Sequence, residues 1–249
     1  MTRSQQKSQS QTRIEFGETW VYESIIAALP GIDVSTPLAI AIQLGFFEAG
    51  IVLVAWYYDL WSAAILGTAA VFVAAVGSIE MLRISTLVRG QAIPETYRRL
   101  LFGSSVEVVL SVLAFIALVT HLFVFNDNRL IQRLMGSDPP ILAVYLMLLV
   151  LWDVCYRIGT GWWTSITALW RSYRYRSQFD AETARALRRA DIENITFGVL
   201  QLVLLPFLPS QSVLMVVLIV HVIAVGIITG LSIILLTLHV NGLEGATAI

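Results

Sequence analysis

The chain has 249 residues, 57% of them hydrophobic and only 13% charged, with a mean hydropathy of +0.77 and a formal net charge of −1. Soluble domains carry about 25% charged residues, so a single water-soluble core is excluded and the bilayer must act as solvent for most of the chain. Cys155 is the only cysteine, which excludes an intrachain disulfide and a multi-cysteine metal site.

The polar start, "MTRSQQKSQSQTR", has no apolar stretch behind its basic residues and does not read as a secretory signal. Lys7 is the only lysine, so an intramembrane Schiff base to retinal or pyridoxal is excluded. Residues 1–33 read as a polar tail followed by a surface-lying amphipathic helix, "ETWVYESIIAAL" (18–29), closed by Pro30-Gly31.

Residues 34–242 read as an all-α, polytopic transmembrane domain, and 243–249 as a C-terminal tail. A spanning helix needs about 20 mainly apolar residues. Six segments qualify, at 37–58, 60–82, 101–125, 140–161, 193–209 and 211–238. Ser35 or Thr36 caps the first, with Pro37 in its first turn, and "DPP" (138–140) opens the fourth. Pro206 and Pro209 stop the fifth, so spans five and six are expected to form a tight hairpin through "PSQS". Two further short helices are expected. "WWTSITALWRSYRYR" (162–176) is either an interfacial helix or a continuation of span four. "DAETARALRR" (180–189) reads as a short solvent helix capped by Asp180.

Arginine placement sets the orientation. The connections 83–100 and 171–192 hold Arg83, Arg89, Arg98, Arg99, Arg171, Arg174, Arg176, Arg185, Arg188 and Arg189. The opposite side has only Arg129 and Arg133, offset by Asp127 and Asp138. The positive-inside rule then places both termini and both arginine-rich connections in the cytoplasm. The scarcity of lysine beside arginine suggests a prokaryotic plasma membrane.

Charges inside the spans sort by depth. Asp153 and Arg157, one turn apart, fall in the inner leaflet, where pairing reduces the cost of burying them. Glu80, Arg83 and Glu107 belong to the same inner-leaflet layer, with Glu193 beside Arg189. This layer reads first as structural, tying spans two, three and four together, and second as the inner mouth of a pathway. Glu48, His221 and Gln201 lie near the midplane, where ionisable groups are costly and mark function. They suggest a polar line from His121 through His221 and Glu48 to Glu107 and Asp153, suited to proton relay.

Three histidines permit a haem pair, His121 with His221, but no cofactor is expected. No HExxH, GxSxG, phosphate-loop or CxxC motif is present. Gly226 and Gly230 in span six offer a close-packing surface, within the chain or to a second copy.

The leading functional expectation is a small transporter or channel for an unknown solute or ion, with a proton- or cation-linked interior. A non-transporting scaffold or accessory subunit, meeting a cytoplasmic protein at its arginine-rich connections, is the alternative. A lipid-modifying enzyme is third. No nucleic-acid partner is expected.

Overall fold

A computed structural model describes residues 36–125, 129–208 and 212–247. The surface helix expected at 18–29, Asp127 and most of the "PSQS" turn lie outside the described residues. Helices α1 (Thr36–Tyr58) and α2 (Trp61–Arg89) form a hairpin. Its reversal takes only Asp59 and Leu60, with Asp59 at a left-handed φ of 58°, which aspartate tolerates better than most residues.

Helix α3 (Glu95–Phe102) follows Pro94, and Ser105, also left-handed at φ 55°, redirects the chain into α4 (Val106–Thr120). A π-helical turn, His121–Phe125, extends α4. The short α5 (Arg129–Met135) ends at Gly136, whose φ of 84° favours a residue without a side chain.

After Pro139-Pro140, helix α6 (Ile141–Tyr175) runs for 35 residues. A single 3-10 turn, Arg176–Gln178, leads to α7 (Ala181–Leu200). Asp180 caps α7 by accepting the Thr183 N–H at 2.8 Å. At its far end α7 tightens into a 3-10 stretch, Gln201–Phe207, around Pro206, which has no N–H to give. The last helix is α8 (Ser212–Thr247).

No strand occurs among the described residues. Six helical stretches are long and apolar enough to cross a membrane: Ile40–Tyr58, Trp61–Arg89, Glu95–Phe125, Ile141–Gln178, Ala181–Phe207 and Val213–Leu243. Their number matches the sequence reading, but their ends do not. The expected connection 83–100 is helical except at Gly90–Pro94, and 171–192 is helical except for the short turn before Asp180. Residues 180–189 are no separate solvent helix. They are the first half of α7, with Ala184 and Leu187 fully buried. Polar residues there satisfy one another across the bundle, so the helices outlast the apolar slab.

Helix α6 is the axis of the bundle, packing on α1, α2, α3, α4, α7 and α8. Of the two expectations for 162–176, the continuation is correct. Its polar residues face inward: Thr164, Ser165, Arg171 and Ser172 are buried, whereas Ile166 and Tyr173 are exposed. Elsewhere Phe46, Leu53, Val109, Leu113, Ile223 and Ile227 stand exposed on the bundle's outside. This inverse of a soluble protein follows when the surrounding solvent is hydrocarbon.

The two ends of the bundle are built differently. At the arginine-rich end Ile84, Val88, Tyr97, Leu101, Leu187 and Leu236 close a continuous core. Toward the other end the α7–α8 hairpin is too short. Asn194 touches Ser165, so the two lie at one level. From there α6 continues for roughly 36 Å to Ile141, but α7 and its 3-10 extension for only about 23 Å to Phe207. Past that height α1, α2, α4, α5 and α6 must enclose the space without α7.

Candidate functional site

Three arrangements of buried polar groups result. The first is a knot near the arginine-rich end, where Arg171 of α6 donates to Asp191 Oδ2 of α7 at 2.7 Å, both side chains being 1% exposed. The same guanidinium donates to Tyr97 of α3 at 3.0 Å and to Ser232 of α8 at 3.2 Å. Ser232 itself donates to Asp191 at 2.7 Å. One level away, Asn194 donates to Ser165 at 2.8 Å, and Thr229 donates to Ser165 at 2.9 Å. Four helices are thereby joined around a directly paired charge, which is the condition under which buried charges are tolerated, although Arg171 Nε has no hydrogen-bond partner among the described residues.

The second is the charge layer. Arg157 Nη2 donates to both oxygens of Asp153, at 2.8 and 3.0 Å, and its Nη1 reaches Met81 Sδ at 3.6 Å. Arg83 meets Glu80 at 3.1 Å and Glu193 at 3.7 Å, and Arg189 meets Glu193 at 3.9 Å. Glycine makes room for this layer. A Cβ on Gly77 would lie 2.5 Å from Arg157 Cδ and 2.6 Å from the Phe197 ring. Asp153 and Arg157 also line a crevice of about 20 Å³ with Gln43 and Ser78, room for about one water molecule. Glu107, in the first turn of α4, is fully buried, and neither carboxylate oxygen has a hydrogen-bond partner among the described residues.

The third is a cavity of about 840 Å³ in the part of the bundle toward the Ile141 end of α6. Its wall is drawn from α1, α2, α4, α5, α6, α8 and the 3-10 stretch that follows α7 (Leu204, Leu208), and it is almost wholly aliphatic, with Ala63, Ala114, Leu118, Met147, Leu151 and Val217 among its residues. Among the described residues no charged side chain lines it, and its polar groups are His121, His221, Cys155 and the indole of Trp162. Each histidine carries one fully buried ring nitrogen with no partner among the described residues, Nε2 of His121 and Nδ1 of His221. His221 is 8% exposed and its ring lies 5.7 Å from that of Trp162.

The expected midplane line does not gather in one place. Glu48 accepts a hydrogen bond from Thr68 of α2 at 2.6 Å and lines neither the cavity nor the crevice. Gln201 is buried at the start of the 3-10 stretch, with Oε1 unpartnered among the described residues, and also lines neither space. His121 and His221 do share the cavity, at different heights. Ser111 touches Tyr156 and Thr229 touches Ser165. Counting from those levels puts His221 roughly 16 Å deeper than His121, too far apart for axial ligands of one haem. Among the described residues, nothing beyond their own stretch of helix backbone lies within 4 Å of where a Cβ on Gly226 or Gly230 would stand.

Sequence reasoning missed the Arg171–Asp191 pair, Trp162 and Cys155. For the first a signal existed, since Ser165 and Ser172 lie seven apart on α6 and Thr229 and Ser232 three apart on α8, a small-polar stripe of the kind that joins helices in membranes. The chain belongs to a family of unknown function (DUF7530), which matches residues 15–232. No curated protein and no solved structure matches it.

Proposed function

We propose that the protein binds a lipid-like molecule inside the membrane, in the cavity between α1, α2, α4, α5, α6 and α8. The observation that carries this reading is the cavity itself, about 840 Å³ with an aliphatic wall. Ligand pockets for drug-sized molecules measure about 300–1,000 Å³. An uncharged wall suits an apolar chain and gives no counterion to a permeating ion. The test is native mass spectrometry of the detergent-solubilised protein beside Ala114→Trp, which fills the cavity from α4. The parent retains a bound lipid mass that the folded variant lacks; equal retention by both contradicts the reading.

A second reading, movement of a proton or cation, is favoured by the Glu48–Thr68 hydrogen bond and by Asp153 at the water-sized crevice. It predicts gradient-driven flux in proteoliposomes that disappears in Glu48→Gln or Asp153→Asn. In either case the arginine-rich end faces the cytoplasm of a prokaryotic cell, following the positive-inside rule. Gly226 and Gly230 are then the face offered to a second copy, and the exposed Arg99 and Arg189 the face offered to a cytoplasmic protein.

A further inference from the structure

The cavity's polar atoms define the head of its ligand, an inference that rests on the cavity being a ligand site. His221 of α8 lines this aliphatic space and is 8% exposed, with neither ring nitrogen hydrogen-bonded among the described residues; Nδ1 is sealed off, which leaves Nε2 as the nitrogen open to the cavity. A polar atom facing an apolar space without a partner is costly, so the arrangement is completed by a ligand atom that hydrogen-bonds to Nε2. The ring of Trp162 lies beside it at 5.7 Å, tilted by 52°, and forms an aromatic wall next to that atom.

Three features narrow the chemistry. Among the described residues no lysine, arginine, aspartate or glutamate lines the cavity, so none of them balances a phosphate, carboxylate or ammonium head. His221 is also deep. It sits at the level of Arg157 on α6, roughly 24 Å from Ile141, beyond the reach of a phospholipid head held at the Ile141 end of the bundle. The remaining wall is aliphatic, as a hydrocarbon or isoprenoid tail requires. We propose that the ligand is a neutral amphiphile with a long apolar chain ending in a hydroxyl or carbonyl oxygen, its head hydrogen-bonded to Nε2 of His221 beside Trp162. A neutral imidazole ring nitrogen donates to a carbonyl in one tautomer and accepts from a hydroxyl in the other, so both heads fit the same atom.

The experiment reconstitutes the full chain in phosphatidylcholine nanodiscs doped equally with hexadecanol, 2-hexadecanone, hexadecane and palmitate, and reads occupancy by native mass spectrometry. Parent, His221→Leu, His221→Gln and Ala114→Trp are compared. The parent takes the alcohol or the ketone about threefold to tenfold over hexadecane, the size of one hydrogen bond, and whichever oxygen wins identifies the head. His221→Leu loses this preference yet still binds hexadecane, which shows an intact cavity, and His221→Gln retains it. Equal binding of all four chains, or a preference unaffected by His221→Leu, overturns the head assignment and leaves the cavity reading standing. A preference for palmitate overturns its neutrality. Absence of any bound chain in the parent, or unchanged binding in Ala114→Trp, overturns the cavity reading itself.

Discussion

Arg171 and Asp191, twenty residues apart in sequence, form an ion pair of 2.7 Å in which neither side chain is more than 1% exposed. Their charges are held between α6 and α7, with Tyr97 accepting from Arg171 and Ser232 donating to Asp191. Removing one partner leaves the other buried and uncompensated, whereas removing both leaves neither. Asp191→Leu or Arg171→Met alone is therefore expected to destabilise the bundle by about 3–5 kcal/mol. The double variant is expected to lose less than the sum of the two. Equilibrium unfolding in mixed micelles, read as a double-mutant cycle, measures this coupling, and additive losses would count against it.

Close helix contact at glycine gives a graded prediction. A Cβ on Gly159 would meet the Ser111 hydroxyl and backbone nitrogen and the Glu107 carbonyl oxygen, so α4 itself would have to move. At Gly77 the obstacles are side chains, Arg157 and Phe197, which can yield in part. At Gly226 nothing lies within 4 Å. Unfolding of the three alanine variants should rank Gly159 as most damaging, Gly77 next at about 1–3 kcal/mol, and Gly226 as near neutral for the isolated chain. A large loss at Gly226 would point to a contact with a second copy.

Asn194 donates to Ser165 and Thr229 and to the Gly161 carbonyl, linking α7 to α6 and α8. Interhelical hydrogen bonds in membranes average about 0.6 kcal/mol each. Asn194→Ala is accordingly expected to cost about 1–2 kcal/mol, measured by the same unfolding assay. The substitution leaves ligand retention in the cavity intact.

The cap at Asp180 carries a pH dependence of definite sign. The Thr183 N–H bond to its carboxylate lowers the Asp180 pKa from the ordinary 3.8. Because the folded value is the lower one, the cap stabilises α7 fully above pH 3.8. That stabilisation is lost as the pH falls through the folded value. Carbon-13 NMR of the Asp180 carboxyl should give a midpoint below 3.8, moving upward when Thr183 is replaced by proline, which has no N–H.

The sequence made local relationships legible. The pairs Asp153–Arg157, Glu80–Arg83 and Arg189–Glu193 are three or four residues apart on one helix, a separation that places side chains on one face whatever the rest of the chain does, and all three are present. The six spans were legible for the same reason, since each is a continuous apolar run.

What joins different helices was not legible. Arg171 and Asp191 read as loop residues because a polar stretch looks alike whether water or a neighbouring helix satisfies it. Glu48 was visible as a deep acid, but its partner Thr68 depends on how α1 meets α2. The cavity is lined from six helices and the 3-10 stretch after α7, so it depends on how these elements pack, which no single run of sequence shows.

The most direct measurement is the structure of the full chain in a lipid nanodisc, at a resolution that shows side chains and bound lipid. The cavity is predicted to hold an elongated density between α4, α6 and α8, ending within hydrogen-bonding distance of His221 Nε2. Closure of these helices on one another, with His121 and His221 taking partners from the protein itself, would contradict the account.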